Sequence, residues 1–146
     1  MESIFEIRSY VGASPLLFGM AEHKIEGIVG PPLRKTINNR GEGSAQYKSF
    51  SLRYSPTEKT LVEIGFSKSA KVTYDALDLF GDAEAFRELL RRDSCPYEYY
   101  GFIILLDLGI TFTGFHDSDI SQRAVTAFNR GRWNHLKEKF KKFPKA

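Results

Sequence analysis

Gly30-Pro31-Pro32 constrains this chain more than any other tripeptide in it. A glycine tolerates the left-handed backbone that ends a helix, and two prolines forbid the helix from continuing. Upstream, Leu17-Phe18-Gly19-Met20 reads as a turn. Residues 20–29 then place Met20, Ile25, Ile28 and Val29 near one face of a helix, with Glu22, Lys24 and Glu26 facing out. Gly27 weakens that helix. The segment is a turn, a helix of two to three turns, an abrupt stop and then strands. It is built for packing or for presenting a surface, and it holds no catalytic signature.

The rest of the pattern predicts a mixed chain. Residues 4–11 partly alternate and form a first strand, and Gly12-Ala13-Ser14-Pro15 turns it. Residues 36–46 are polar and glycine-rich and read as a loop. Phe50, Leu52 and Tyr54 alternate with Ser51 and Arg53, and Val62, Ile64 and Phe66 alternate with Glu63 and Gly65, so 50–66 is a hairpin turned by residues 55–59. Residues 71–74 start a short third strand. Asp82 can cap a second helix whose buried face is Phe86, Leu89 and Leu90, ended by residues 94–96. Residues 99–106 make the most apolar strand, Asp107-Leu108-Gly109 a turn, and Ile110 and Phe112 another strand. Ile120, Ala124, Ala127 and Phe128 share the face of a third helix stopped by Gly131, and Trp133, Leu136 and Phe140 give a basic amphipathic last helix over about 132–143. The expected fold is a single α+β domain over residues 1–146. An antiparallel sheet packs against two to four helices, in two diverged helix–loop–hairpin units.

Length agrees with one domain: 146 residues can bury roughly 70% of the unfolded surface. Aromatic residues make up 14% of the chain, enough to fill a core and dominate an interface. The lone Cys95 excludes an intramolecular disulfide. The first residues are acidic and lack the apolar stretch of a signal peptide, and the apolar run 102–106 is too short to span a bilayer. A cytoplasmic protein is expected. The net charge of +3 conceals an asymmetry. Residues 75–119 carry ten carboxylates against three arginines, whereas residues 120–146 carry eight basic groups against one glutamate.

No arrangement points to catalysis. Cys95 precedes a proline with no histidine nearby, and a partly buried unreactive thiol is the better reading. His116-Asp117-Ser118-Asp119 contains triad letters, but triads assemble from distant segments, so a helix cap explains the run better. The same run lacks the convergent ligands of zinc and the spacing of a calcium loop. Gly41-Glu42-Gly43-Ser44 lacks the lysine and the strand–loop–helix setting of a phosphate loop. No cofactor or metal is expected. The basic tail could touch nucleic acid, although lysines on an amphipathic helix usually solvate it, and the acidic middle would repel phosphate. Carboxylates interleaved with tyrosines suit docking of a protein partner as well as they suit a solvated surface. The partner-binding set is Asp93, Tyr97, Glu98, Tyr99, Tyr100, His116, Asp117 and Asp119.

Phe18-Gly19-Met20, a short helix and Gly30-Pro31 resemble the opening of bacterial helix–loop–strand modules, among them outer-membrane assembly lipoproteins and β-lactamase-inhibitor-like domains. The chain departs from the lipoprotein branch in having neither a signal peptide nor a lipid-modified cysteine. Leu108-Gly109-Ile110, Gly114-Phe115-His116-Asp117 and Gly131-Arg132-Trp133 resemble cytoplasmic immunity proteins that neutralise polymorphic or contact-dependent bacterial toxins. Together these pieces cover about a third of the chain. The resemblance implies a non-enzymatic protein that binds a cognate toxin domain and occludes its active site, without contact with a membrane. If that toxin is a basic nuclease or nucleotide-handling enzyme, the acidic stretch 75–119 would mimic its anionic substrate and speed encounter. The alternative is a nucleic-acid-associated protein using the basic last helix, and a third reading is a small enzyme centred on His116.

Overall fold

The computed structural model describes residues 4–115 and 123–144. β1 (Ile4–Arg8), β2 (Gly12–Ser14) and β3 (Leu16–Leu17) lead into α1 (Glu22–Val29). A meander of β4 (Arg34–Ile37), β5 (Gly43–Gln46), β6 (Phe50–Tyr54) and β7 (Leu61–Ser67) follows. The order then recurs. β8 (Lys71–Tyr74) and β9 (Leu77–Asp78) precede α2 (Ala85–Arg92), which leads into β10 (Tyr97–Tyr99), β11 (Phe102–Leu105), β12 (Ile110–Thr113) and β13 (Ala124–Phe128). A 3-10 helix, Asn134–Lys139, and β14 (Lys141–Lys142) complete the described chain.

The two meanders join edge to edge where β7 pairs antiparallel with β13, giving a nine-stranded sheet in the order β14-β10-β11-β12-β13-β7-β6-β5-β4. Its register sorts side chains into rows. Leu105, Ile110, Ala127, Ile64, Leu52 and Ala45 stand opposite one another across six strands, and all are buried. One residue along each strand, the row Thr111, Thr126, Gly65, Ser51 and Gln46 turns to the other face. This period of two separates a greasy face from a polar one.

The second sheet, β3-β2-β1-β8-β9, covers the greasy face together with both helices. Phe5 of β1 meets Phe50 and Phe66, with centroids 4.9 and 5.2 Å apart, and Phe86 of α2 meets Phe112 at 5.1 Å. β1 and β8 pair in parallel, an exception to the antiparallel pattern. The result is an α+β fold that is mostly sheet, with two α-helices among the described residues.

Five expectations need correction. Gly12–Ser14, expected within a turn, is the strand β2, paired antiparallel with β1. The third helix, placed across 120–131, contains β13 instead; residues 116–122 lie outside the described residues. Val125 and Ala127 satisfy a strand's period while Ala124, Ala127 and Phe128 satisfy a helix's, and the strands on both sides decide the matter. The last helix over 132–143 is a six-residue 3-10 helix followed by an edge strand, with Lys142 opposite Tyr97 and Lys141 opposite Glu98. The loop 36–46 is mostly the hairpin β4–β5, closed by Asn38, whose Oδ1 accepts the Arg40 and Glu42 amides. β4 is exposed along its whole length, so it carries no alternation to read. The strand 99–106 is broken by a turn into β10 and β11.

One cluster of charge ties the sheet to the tail. Arg132 donates from Nε to Glu63 at 3.0 Å and from its Nη groups to both oxygens of Glu42. Arg40 and Arg53 lie 3.5 and 3.7 Å from Glu42. The Arg132 hydrogen bond is the main cause that lowers the Glu42 carboxyl from an ordinary 4.5 to about 2, against the opposing effect of burial. The folded pKa is depressed, so this stabilisation is complete above about pH 4.5 and is lost as pH falls toward 2. It is worth about 3 kcal/mol. Urea midpoints measured from pH 6 to pH 2 should fall through this window in the native protein. In Glu42→Gln the fall should be shallower by a comparable amount; an unchanged slope would remove Glu42 as its source.

Candidate functional site

β10 and β11 are joined by two residues, Tyr100 and Gly101, both with positive φ, 48° and 85°. A two-residue turn of this kind matches the twist of the strands and is normally built from Asn, Asp or Gly. Glycine occupies the second position as expected. Tyrosine at the first position stores strain of about 1 kcal/mol or more, and it leaves a large aromatic ring 87% exposed at a hairpin tip.

The ground under that ring is firm. Tyr97 and Tyr99 project from the sheet face opposite the main core, where the C-terminal segment crosses over them. Trp133 and Phe140 descend on this face. Tyr99 lies 6.4 Å from Trp133 and 5.8 Å from Phe140, Phe102 lies 5.8 Å from Trp133, and Tyr97 lies 5.7 Å from Phe140. Ile104 and Phe128 are buried outside the main core cluster, and Phe128 packs on Trp133 at 6.3 Å. The tail thus builds a second, smaller aromatic core on the far side of the sheet. Beside it, Glu98, Tyr99, Tyr100, Gly101, Lys139 and Lys141 line a recess of about 360 Å³. Tyr99 and Tyr100 meet edge to face at 4.7 Å on its wall.

Of the residues singled out in the sequence, Glu98, Tyr99 and Tyr100 line this recess and Tyr97 shares the face of Tyr99, whereas Glu98, opposite the core residue Ile103, turns to the other face of β10. Asp93 does not join them. It is 1% exposed, and its carboxylate accepts the amides of Asp107 at 2.9 Å and Cys95 at 3.1 Å. Asp107 in turn accepts the Ser94 amide at 2.6 Å. This reciprocal clasp fastens the end of α2 to the β11–β12 turn, so Asp93 is a structural residue and not a surface contact. Burial raises its pKa, partly offset by these amides. His116, Asp117 and Asp119 lie outside the described residues.

The acidic stretch is also less free than its composition implies. Glu88 pairs with Arg91 at 2.8 Å and Arg92 at 2.9 Å, and Arg92 reaches Asp75 at 2.9 Å. Asp78 and Asp82 accept backbone amides of Gly81 and Glu84, both at 2.9 Å. The tyrosines sit instead with two lysines, Lys139 and Lys141. Neither lysine stands out in the sequence as a contact, because the tail's spacing reads as a separate helix. Among the described residues no three His, Cys, Asp or Glu side chains converge as metal ligands, and no helix is long and apolar enough to cross a membrane. A comparison with protein-family models, with curated proteins and with solved structures finds no match.

The clasp makes a direct prediction. Asp93→Ala removes a buried carboxylate that holds the Asp107 and Cys95 amides and should lower the unfolding free energy by about 2 kcal/mol in urea titrations, whereas a surface residue would change it by less than about 0.5 kcal/mol.

Proposed function

We propose that this protein is a binding module that acts as an immunity protein, seating the β10–β11 hairpin tip on a cognate toxin domain and occluding its active site. The observation that carries this reading is Tyr100: a strained, exposed aromatic on a two-residue turn, braced from behind by Tyr99, Trp133 and Phe140. Backbone strain retained at an exposed position calls for a use. Rigid aromatic anchors lose little entropy on binding and dominate protein interfaces. Glu98, Lys139 and Lys141 supply a mixed-charge rim around the anchor, which would set register and encounter rate more than affinity. The mechanism is steric and needs no chemistry from this chain.

The alternative, nucleic-acid binding through the basic C-terminal segment, lacks the continuous amphipathic helix expected over 132–143, where a six-residue 3-10 helix and a short strand stand instead. Lys141 and Lys142 serve in an edge strand, where charge also discourages pairing with stray strands.

The test begins with capture of the cognate toxin domain and a growth assay in cells that express it. The native chain should restore growth. Tyr100→Gly should relieve the turn, raising stability by about 1 kcal/mol, yet weaken binding by at least about tenfold and lose protection. Undiminished binding and protection by the more stable variant would reject the hairpin tip as the contact.

A further inference from the structure

At the other end of the large sheet, on its core side, a cavity of about 480 Å³ opens between the start of α1 and the strands β4, β5 and β6. Glu22, Lys35, Ile37, Gly43, Tyr54 and Lys59 are among its lining residues. That volume falls within the usual range of small-molecule sites. Three independent features distinguish it from an accidental dent.

The first is Gly43. Its φ is not in the left-handed region, and a Cβ built on it would meet Tyr54 carbons at 3.7 and 3.8 Å, an ordinary contact. Neither backbone nor packing demands glycine here, and its effect is to leave the cavity open. The second is Tyr54, 3% exposed, whose hydroxyl is buried without a protein hydrogen-bond partner. Burial is the leading cause that raises its pKa, so the group stays a proton donor throughout the physiological range. A buried unpaired hydroxyl costs free energy unless something accepts from it. The third is charge. Lys35 is held by Glu26 at 2.7 Å and Glu22 at 3.7 Å, whereas Lys59 makes no ion pair among the described residues. Ile37, 77% exposed on the edge strand, adds an apolar wall.

We propose that this cavity binds a small aromatic carboxylate. The ring lies over Gly43 between Tyr54 and Ile37, the Tyr54 hydroxyl donates to an acceptor on the ligand, and the Lys59 ammonium meets the carboxylate. The site lies apart from the hairpin tip, so its occupancy and toxin binding can be tested separately.

The experiment is a calorimetric and amide-NMR titration of the full chain with 2-naphthoate, using 2-naphthalenemethanol as the neutral counterpart. Saturable binding of the naphthoate is expected, with shifts centred on β4–β5 and α1, and weaker binding of the alcohol. Tyr54→Phe and Lys59→Gln should each reduce affinity by about fivefold. Gly43→Leu should abolish binding while the spectrum stays folded. Lys59 is exposed, so Lys59→Gln remains informative even if a cavity substitution perturbs the fold. No saturable binding at millimolar naphthoate, binding that survives Gly43→Leu, or equal affinity for the neutral alcohol with Lys59→Gln silent would overturn the proposal.

Discussion

The Arg132 guanidinium is the tie on which both ends of the molecule depend. Its planar fork engages Glu42 through both Nη groups while Nε holds Glu63, a geometry that a lysine ammonium could not reproduce. Glu42 closes the β4–β5 turn, Glu63 lies on β7, and Arg132 follows β13, so three separate parts of the sheet meet at one cation. Asn38 adds a hydrogen bond to Glu42 at 3.0 Å. Removing Arg132 from this part-buried set leaves the buried Glu42 carboxylate without its main partner, which costs more than the net worth of the pair. The residue after the anchor is Trp133. Fixing Arg132 therefore aims the indole at Tyr99, Phe102 and Phe128 and sends the tail across the sheet toward β14. The same anchor stiffens the turn between Gly41 and Gly43, which line the cavity beside α1.

A nine-stranded sheet has two faces to cover, and this chain covers them unequally. The helices and the five-stranded sheet cover one face, except for the cavity left beside β4. The C-terminal segment takes the other face over β10 and β11. Over β5, β6, β7 and β13 the polar face presents Gln46, Ser51, Gly65 and Thr126, small or polar groups that tolerate water without a lid. The aromatic partners of Trp133 and Phe140 on that face, Tyr97, Tyr99, Phe102 and Phe128, all belong to the second meander. The chain's excess of aromatic residues is thus divided between a main core and a second core. The hairpin tip gains its rigidity from the second.

Much of this architecture was legible where the physics is local. Gly30 ends α1 with φ 84° as its tripeptide required. Leu52 stands opposite Ile64 in the hairpin that alternation predicted, and Phe86, Leu89 and Leu90 form the buried face of α2. What stayed hidden was decided by partners distant in sequence. Ala124, Val125, Ala127 and Phe128 fit two periods at once, and the open edges of β7 and β12 chose between them. Trp133, Leu136 and Phe140 read as a helical stripe, whereas the aromatic face they meet pulls the segment into a short 3-10 helix and a strand. Glu42 and Arg132 are separated by 90 positions, and no local pattern announces a pair of that kind. Asp93 looked like a surface acid because its two amide donors cannot be read from spacing. The tyrosines of 97–100 were visible, but the Tyr100-Gly101 turn that presents them was absorbed into an apolar run.

Tyr100 is the point at which local preference and global fold disagree most openly. Every other constraint around it is mutually consistent: strand residues on both sides, glycine at the second turn position, aromatic support from the tail. A sequence selected for stability alone would place asparagine or glycine at the first position, where the left-handed backbone costs least. Conflicts of this kind, confined to one residue in an otherwise consistent neighbourhood, mark places where something besides folding sets the side chain. The strain is small beside the aromatic packing that braces the hairpin, so the turn survives it. The turn fixes the ring's direction, the second core fixes the turn, and Arg132 fixes the second core. Such a chain of constraints offers a partner an anchor already in its bound geometry, with little conformational entropy left to lose.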